Sequence, residues 1–348
     1  MFSVHTLANG AISAKAKAMY GQRLKKSDYD ELVRKRSISE ITSYLKNETV
    51  YGEALKDIQE MSVHRGQLEE VLKRHLFMKM MKLIRFAGKK SQSFYELHLH
   101  QVEIDRILSC VRALNTGQFM ESIADMPLFL DRYTKVNFIK LAQAKSYDDL
   151  LDAVKKSMFY KILLDFRVDK GEVIPYTKLE VALQKAYYHH VFEVVEKNFK
   201  GKTKEGILHI YKTNVELSNI TKIYRYKKFF QAEPQEIKES LLDVRSRLSS
   251  SMFTQLVNAT SAEEMLKLLE KSSYQLYVDE QDFVFIEYYS EQIKYHLARR
   301  YMSFSSAAPL VFCAYYFLSQ LEIENLFNII EGVRYHVASE EIERMLIY

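Results

Sequence analysis

Tryptophan is absent from this chain, and its 348 residues include only four prolines, ten glycines and two cysteines. So few helix breakers, with apolar residues recurring at helical rather than alternating spacing, predict an all-α protein. Cys110 and Cys313 both lie in apolar helical stretches. Two such residues make neither a disulfide framework nor a cysteine metal site, so buried, reduced thiols are expected. Long hydrophobic runs are missing too. The most apolar stretch, Ala307 to Leu318, carries Pro309, and its dozen or so residues fall short of the roughly 20 that a bilayer span needs. The opening residues lack the uninterrupted apolar core of a secretory signal. These absences together predict a soluble, cytoplasmic chain.

Charge of one sign is also lacking, with 50 basic residues against 45 acidic ones, mixed throughout, and a formal net charge of +5. Lys222 to Phe230, which contains Arg225, Lys227 and Lys228, is the one basic and aromatic run that looks like an RNA surface. A solvated helix end with packed aromatics accounts for it better, and no nucleic-acid partner is expected. The weak positive balance suits an acidic protein surface equally well.

What the chain does have is one phrase used three times. Val102-Glu103-Ile104, Val215-Glu216-Leu217 and Leu321-Glu322-Ile323 place their glutamates 113 and 106 residues apart. At about 100° per residue the buried stripes are Ile104/Ile107/Leu108/Val111, Leu217/Ile220/Tyr224 and Ile323/Leu326/Phe327/Ile330. Each glutamate falls at the edge of its stripe, with Asn219 and Asn325 three residues further on and Arg106 in the first copy. Other landmarks keep the same order. Ser37, Ser146 and Ser261 each open a short helix, Ser37 with Glu40 in capping-box spacing. Ser27 is expected to cap the helix before it, Asn137-Phe138-x-x-Leu141 standing in the second copy for Asp28-Tyr29-x-x-Leu32, and Gly52 to end the helix that Ser37 opens. Ser157-Met158-Phe159-Tyr160 stands for the Thr49–Tyr51 region. Leu68-Glu69, Leu179-Glu180 and Ile286-Glu287 lie in the long helices that precede each glutamate helix. The reading is a triplicated helical domain of about 110 residues, with copies over 1–117, 118–232 and 233–348.

No catalytic signature accompanies the repeat. Gly88-Lys89-Lys90-Ser91 looks like the end of a phosphate-binding loop, but residue 83 is Leu where the first glycine belongs and Lys90 replaces Ser/Thr. His98 and His100, two apart on a helix, diverge and cannot share a metal. His189-His190 with Glu193 read as solvated or capping residues. Glu103, Glu216 and Glu322 have no partner histidines in a motif, and a structural hydrogen bond or ion pair suits them. The chain is read as a non-enzyme without cofactor or metal. Three large helical copies, each with an apolar flank, favour closure with pseudo-threefold symmetry over an open solenoid.

Ser27-x-Tyr29-x-x-Leu32, Ile41-x-x-x-Leu45-x-x-x-Thr49-x-Tyr51-Gly52-x-x-Leu55 and Glu322-x-x-Asn325-Leu326-x-x-Ile329-x-Glu331 carry a family resemblance. In these the chain resembles the central-stalk connector of rotary V/A-type ATPases, known as the C subunit in bacterial and archaeal complexes and the d subunit in eukaryotic ones. The resemblance covers the whole chain, with Ala14 to Arg23 departing from it by being Lys-rich. It implies three helical bundles in a funnel, a monomer when isolated, and a place on the membrane proteolipid ring at the cytoplasmic face. It further implies a grip on the tip of the central shaft (the D subunit), with the small F subunit nearby. Torque would pass through it for H⁺ or Na⁺ transport, without chemistry of its own. Lys89, Lys90, Arg225, Lys227 and Lys228 are the rim charges expected to meet a partner. The rival reading is a free-standing helical scaffold for RNA or a peptide.

Overall fold

The computed structural model describes residues 4–88, 92–117, 133–169, 171–274 and 286–348, with side chains from Gly10 onward. The described residues contain helices and no strand. The first part of the chain forms α1 (Val4–Gly21), α2 (Lys26–Leu32), α3 (Ile38–Glu48), α4 (Gly52–Leu55) and α5 (Arg65–Ile84). Next come α6 (Gln92–Tyr95), α7 (Leu97–Thr116), α8 (Phe138–Gln143), α9 (Tyr147–Val154), α10 (Tyr160–Asp165) and α11 (Tyr176–Asn198). The remainder forms α12 (Gly201–Arg225), α13 (Pro234–Ser240), α14 (Ser250–Asn258), α15 (Ala262–Glu270), α16 (Ile286–Phe304), α17 (Ala308–Arg334) and α18 (Ser339–Arg344). By contacts the chain falls into two compact units. One holds Met1–Lys89, Lys200–Ile237 and Val244–Tyr348, and the other Lys90–Phe199 with Lys238–Asp243.

The repeat is visible in the local bonds. Ser37, Ser146 and Ser261 each accept the amide three residues on, at 3.1, 3.2 and 3.1 Å. The acid at that third position reaches back to the amide just before each serine, Glu40 to Arg36, Asp149 to Lys145 and Glu264 to Thr260. Three short helices therefore start with one reciprocal cap, which satisfies amides that the helix itself leaves open. Ser146→Ala is expected to cost about 1 kcal/mol in urea denaturation, and Ser37→Ala and Ser261→Ala about the same.

Two local expectations are corrected. Ser27 lies inside α2 and does not cap it. Lys25 is the first half-in residue, and the Asp28 carboxylate takes the Lys25 amide at 2.6 Å. The helix begins earlier than a Ser27 cap requires, so the serine falls inside it. Asn137 and Ser249 do cap the corresponding helices α8 and α14. Gly52 does not end α3 either. It opens α4, and a Cβ there would lie 2.7 Å from the Lys46 carbonyl oxygen. Glycine is required there by close backbone approach, not by a left-handed cap.

Each unit packs the glutamate helix forward onto the next copy. In the smaller unit α7 lies against α8, α9 and α11. In the larger, α12 lies against α14, α15 and α16. There α17 returns to the beginning of the chain, packing on α3 and α5. Ile323, Leu326, Ile329 and Ile330 share a core with Leu32, Ile41, Leu45, Leu55, Leu68 and Leu72. The sequence copy and the packing bundle are thus offset by one glutamate helix. The bundle around α17 is built from both ends of the chain. Ile342 and Leu346 complete its core, and Gly332 lets α18 in, because a Cβ would sit 2.5 Å from Ile342 Cδ1.

Candidate functional site

The three glutamates form three equivalent joints. Glu216 is fully buried. Its carboxylate accepts the amides of Ser246 and Arg247, both at 2.8 Å, then Leu248 at 3.2 Å and the Tyr274 hydroxyl at 2.6 Å. Glu322, partly buried, accepts the Leu24 amide at 3.0 Å and the Tyr51 hydroxyl at 2.6 Å. Glu103, only 2% exposed, accepts the Lys135 amide at 3.3 Å and meets His100 Nδ1 at 2.8 Å. The amides lie just ahead of α2, α8 and α14, the corresponding short helices of the following copies. A carboxylate is the only ordinary side chain able to take so many donors at once. Glu322 is partly buried, as an edge position would be, but the other two glutamates are not at the edges of their stripes. Glu103 and Glu216 lie within the core, and Ile223 is buried in place of Tyr224.

The hydroxyl donors come from a second triplet. Tyr51, Phe159 and Tyr274 each follow a Ser/Thr by two, and each backbone amide bonds that hydroxyl, at 3.2, 3.3 and 3.1 Å. Thr49-x-Tyr51, Ser157-x-Phe159 and Ser272-x-Tyr274 are legible in the sequence once aligned, although the third member escapes the sequence reading. Phe159 brings no hydroxyl. In that bundle His100, one helical turn before Glu103, fills the gap, with its ring edge-on to Phe159 at 6.1 Å. Burial beside these carboxylates raises the Tyr51 and Tyr274 phenols well above their ordinary range, so both remain donors.

Asn325 lies 3% exposed and clasps the chain's end. Its Nδ2 donates to the Ile347 carbonyl at 2.7 Å, and its Oδ1 accepts the Ile347 amide at 3.0 Å. Tyr348 then stacks on Tyr29 at 4.8 Å. Asn219 is equally buried.

The basic candidates fare differently. Lys227 sits in a π-helical turn, Tyr226–Phe230, that extends α12. Its ammonium points inward to the Val257 carbonyl at 2.7 Å and to that of Ala259, closing the C-terminus of α14. Burial lowers its pKa. Lys227 is a cap for another helix, and its ammonium is occupied there. Lys228 faces outward toward Glu263 at 3.5 Å, and Arg225 toward Glu287 at 3.6 Å. Phe229 and Phe230 beside them are 65% and 71% exposed. Lys89 and Lys90 lie outside the described residues. Lys227→Met is expected to cost about 2 kcal/mol by leaving two carbonyls unpaired. Lys228→Ala should stay within about 0.5 kcal/mol. Denaturant midpoints of the two variants separate these roles.

The histidines also resolve. His98 Nδ1 donates to the Tyr95 carbonyl at 2.9 Å, and His189 meets Glu193 at 3.2 Å on the surface. Among the described residues no cluster of three His, Cys, Asp or Glu could hold a metal ion, and no helix is long and apolar enough to cross a membrane. Cys110 and Cys313 are free and buried, each thiol pushed up to about 12.

Comparison with known proteins agrees on one family. The sequence profile described as ATP synthase (C/AC39) subunit matches residues 12–345. The chain is 24% identical over 232 residues to the C subunit of the A-type ATP synthase of Methanosarcina mazei. That match covers 66% of this chain and 61% of the relative, less than two thirds of its length. The Methanosarcina acetivorans protein of the same name matches at 24% over the same shares. With that of Archaeoglobus fulgidus the identity is 24% over 341 residues, 97% of this chain and 95% of the relative.

Proposed function

The chain belongs to the family described as ATP synthase (C/AC39) subunit, and from that premise we propose that it is the non-catalytic connector of a V/A-type rotary ATPase. In this reading it seats the tip of the central shaft, the D subunit, with the F subunit alongside. It rests on the proteolipid ring at the cytoplasmic face and passes torque between ATP turnover and H⁺ or Na⁺ movement. The three sequence copies supply three bundles around the shaft.

The observation that carries the reading is the repeated joint. A part that transmits torque must not shear between its repeats. Each glutamate helix is tied to the next copy by a carboxylate that holds at least one backbone amide and a side-chain group, a bond set with little rotational freedom. The Glu216 carboxylate is filled with donors, which suits a mechanical role better than proton transfer. Outward-facing Arg225 and Lys228, with the neighbouring Phe229 and Phe230, are the described part of the proposed grip. The basic run is partly neutralised within the chain, which weakens the RNA-scaffold alternative.

The test is reconstitution. Purified chain is expected to bind the shaft and the proteolipid ring, and to be required for ATP-driven ion transport by the assembled complex. The detached catalytic head should hydrolyse ATP equally well without it. Affinity for the shaft should fall as ionic strength rises, because exposed rim charges are screened. Failure to bind either partner, or ATP hydrolysis by the chain alone, would refute the proposal.

A further inference from the structure

The Glu322 joint differs from the Glu216 joint in opening onto a recess. Its volume is about 30 Å³, and it is lined among others by Tyr20, Arg23, Lys79, Tyr315, Ser319 and Glu322. The lining is rich in unanswered donors. The Tyr20 and Tyr315 hydroxyls are buried and complete no hydrogen bond within the protein. Tyr315 is 1% exposed, with the Ser319 hydroxyl nearby one turn along α17. Lys79 is half-buried on α5, and among the described residues its ammonium makes no hydrogen bond or ion pair. It lies 5.6 Å from the centre of the Tyr51 ring, and Glu322 attracts it across the recess.

We propose that this recess is a hydration site, in which ordered water bridges the Lys79 ammonium to the Glu322 carboxylate and takes up the Tyr315 and Tyr20 hydroxyls. The donor and acceptor balance favours water. Lys79 and the two phenols need acceptors, while Glu322, already holding Leu24 N and Tyr51 Oη, has lone pairs left. A water accepts from two donors and gives two protons, so one molecule can answer Lys79, a phenol and the carboxylate together. The site is polar, large enough and offers the partners that a buried water requires. A charged pair held apart by more than hydrogen-bond distance is a common setting for such a bridge. An anion would have to lie beside Glu322, which repels it. The Glu216 joint has no such need, because three amides and Tyr274 fill its carboxylate directly. The bridge would tie α1 and α5 to α17 at the one joint made from both ends of the chain.

Tyr315→Phe decides between a wet and a dry recess. In a dry recess the hydroxyl is an unsatisfied burden, and its removal leaves the thermal midpoint unchanged or raises it. With bridging water, Tyr315→Phe lowers the midpoint. Lys79→Met lowers it too, and the double variant loses less than the sum, because both singles break one shared network. A neutral or stabilising Tyr315→Phe overturns the proposal. A crystal structure of the full chain should show solvent density about 3 Å from both Lys79 Nζ and Tyr315 Oη, and an empty recess would overturn it equally. Chloride and nitrate are also to be compared at constant ionic strength. A midpoint that rises with one anion in the wild type, and not in Lys79→Met, would give the site to an anion and reject water.

Discussion

Glu216→Ala is expected to be the most damaging of the three glutamate substitutions, lowering unfolding free energy by about 3–5 kcal/mol. The carboxylate is fully buried and satisfies three amides and the Tyr274 hydroxyl. Alanine leaves these donors facing a cavity that solvent does not reach. Glu216→Gln should recover only part of the loss, because one oxygen becomes an amide that meets other donors. Glu322→Ala removes two bonds in a partly exposed setting and should cost about 1–3 kcal/mol. Glu103→Ala should cost a similar amount. Thermal or urea unfolding of the three single variants gives the ranking directly. Equal losses at all three positions would mean that the number of donors is irrelevant, and the joint would not be the stabilising unit. Under the proposed connector role, the Glu216 variant is expected to lose coupled transport in the reconstituted complex while ATP hydrolysis by the detached head persists.

Mild acid should destabilise the protein through His98, which is buried, and His75, which is partly buried. Burial pushes His75 down to about 3, with Lys79 and Lys82 adding to it, and His98 down to about 4. The unfolded chain takes up these protons near pH 6.5, whereas the folded chain does not until far lower. Stability from each is therefore intact above about pH 6.5 and is lost as pH falls toward the folded value. At about pH 5 each histidine has withdrawn about 2 kcal/mol, about 4 kcal/mol together. The carboxylates of the caps contribute little in this window. Asp149 and Glu264 are held below their ordinary values by the Ser146 hydroxyl with the Lys145 amide, and by the Thr260 amide. His98→Asn keeps a donor for the Tyr95 carbonyl without a titrating group, and His75→Phe keeps the ring packed on Tyr51. Each variant should remove about half of the fall in thermal midpoint between pH 7 and pH 5. An unchanged slope in both would show that these rings are already protonated in the folded state.

Much of this protein is legible because its signals are local. Ser37, Ser146 and Ser261 cap their helices as spacing predicts, since a hydroxyl three residues from an amide needs no tertiary partner. Gly117 ends α7 with φ 68°, a left-handed turn that its residue type announces. Ser27 misleads because α2 starts earlier, with Lys25 half-in and its amide held by Asp28, which leaves the serine inside the helix. The period of the glutamates is plain in the sequence, but their depth is not, because a hydrophobic stripe does not reveal which neighbour covers its margin.

What the sequence by itself determined is the all-helical class and where the serine caps and the three carboxylates fall along the helices. These follow from periodicity and from residue types whose backbone preferences act within a few positions. Only the tertiary structure decided what the carboxylates hold. Glu322 binds Leu24 and Tyr51, some 300 and 270 residues away, and Asn325 clasps Ile347 where the chain ends. It also turned Lys227, one of several similar surface cations by sequence, into the cap of a helix 30 residues further on. The donors at each of the three joints include backbone amides, which every residue but proline carries and no letter of the sequence marks. Which amides meet a buried acid depends on how each glutamate helix packs against segments far along the chain. That is settled by burial and packing across distant segments rather than by local preference.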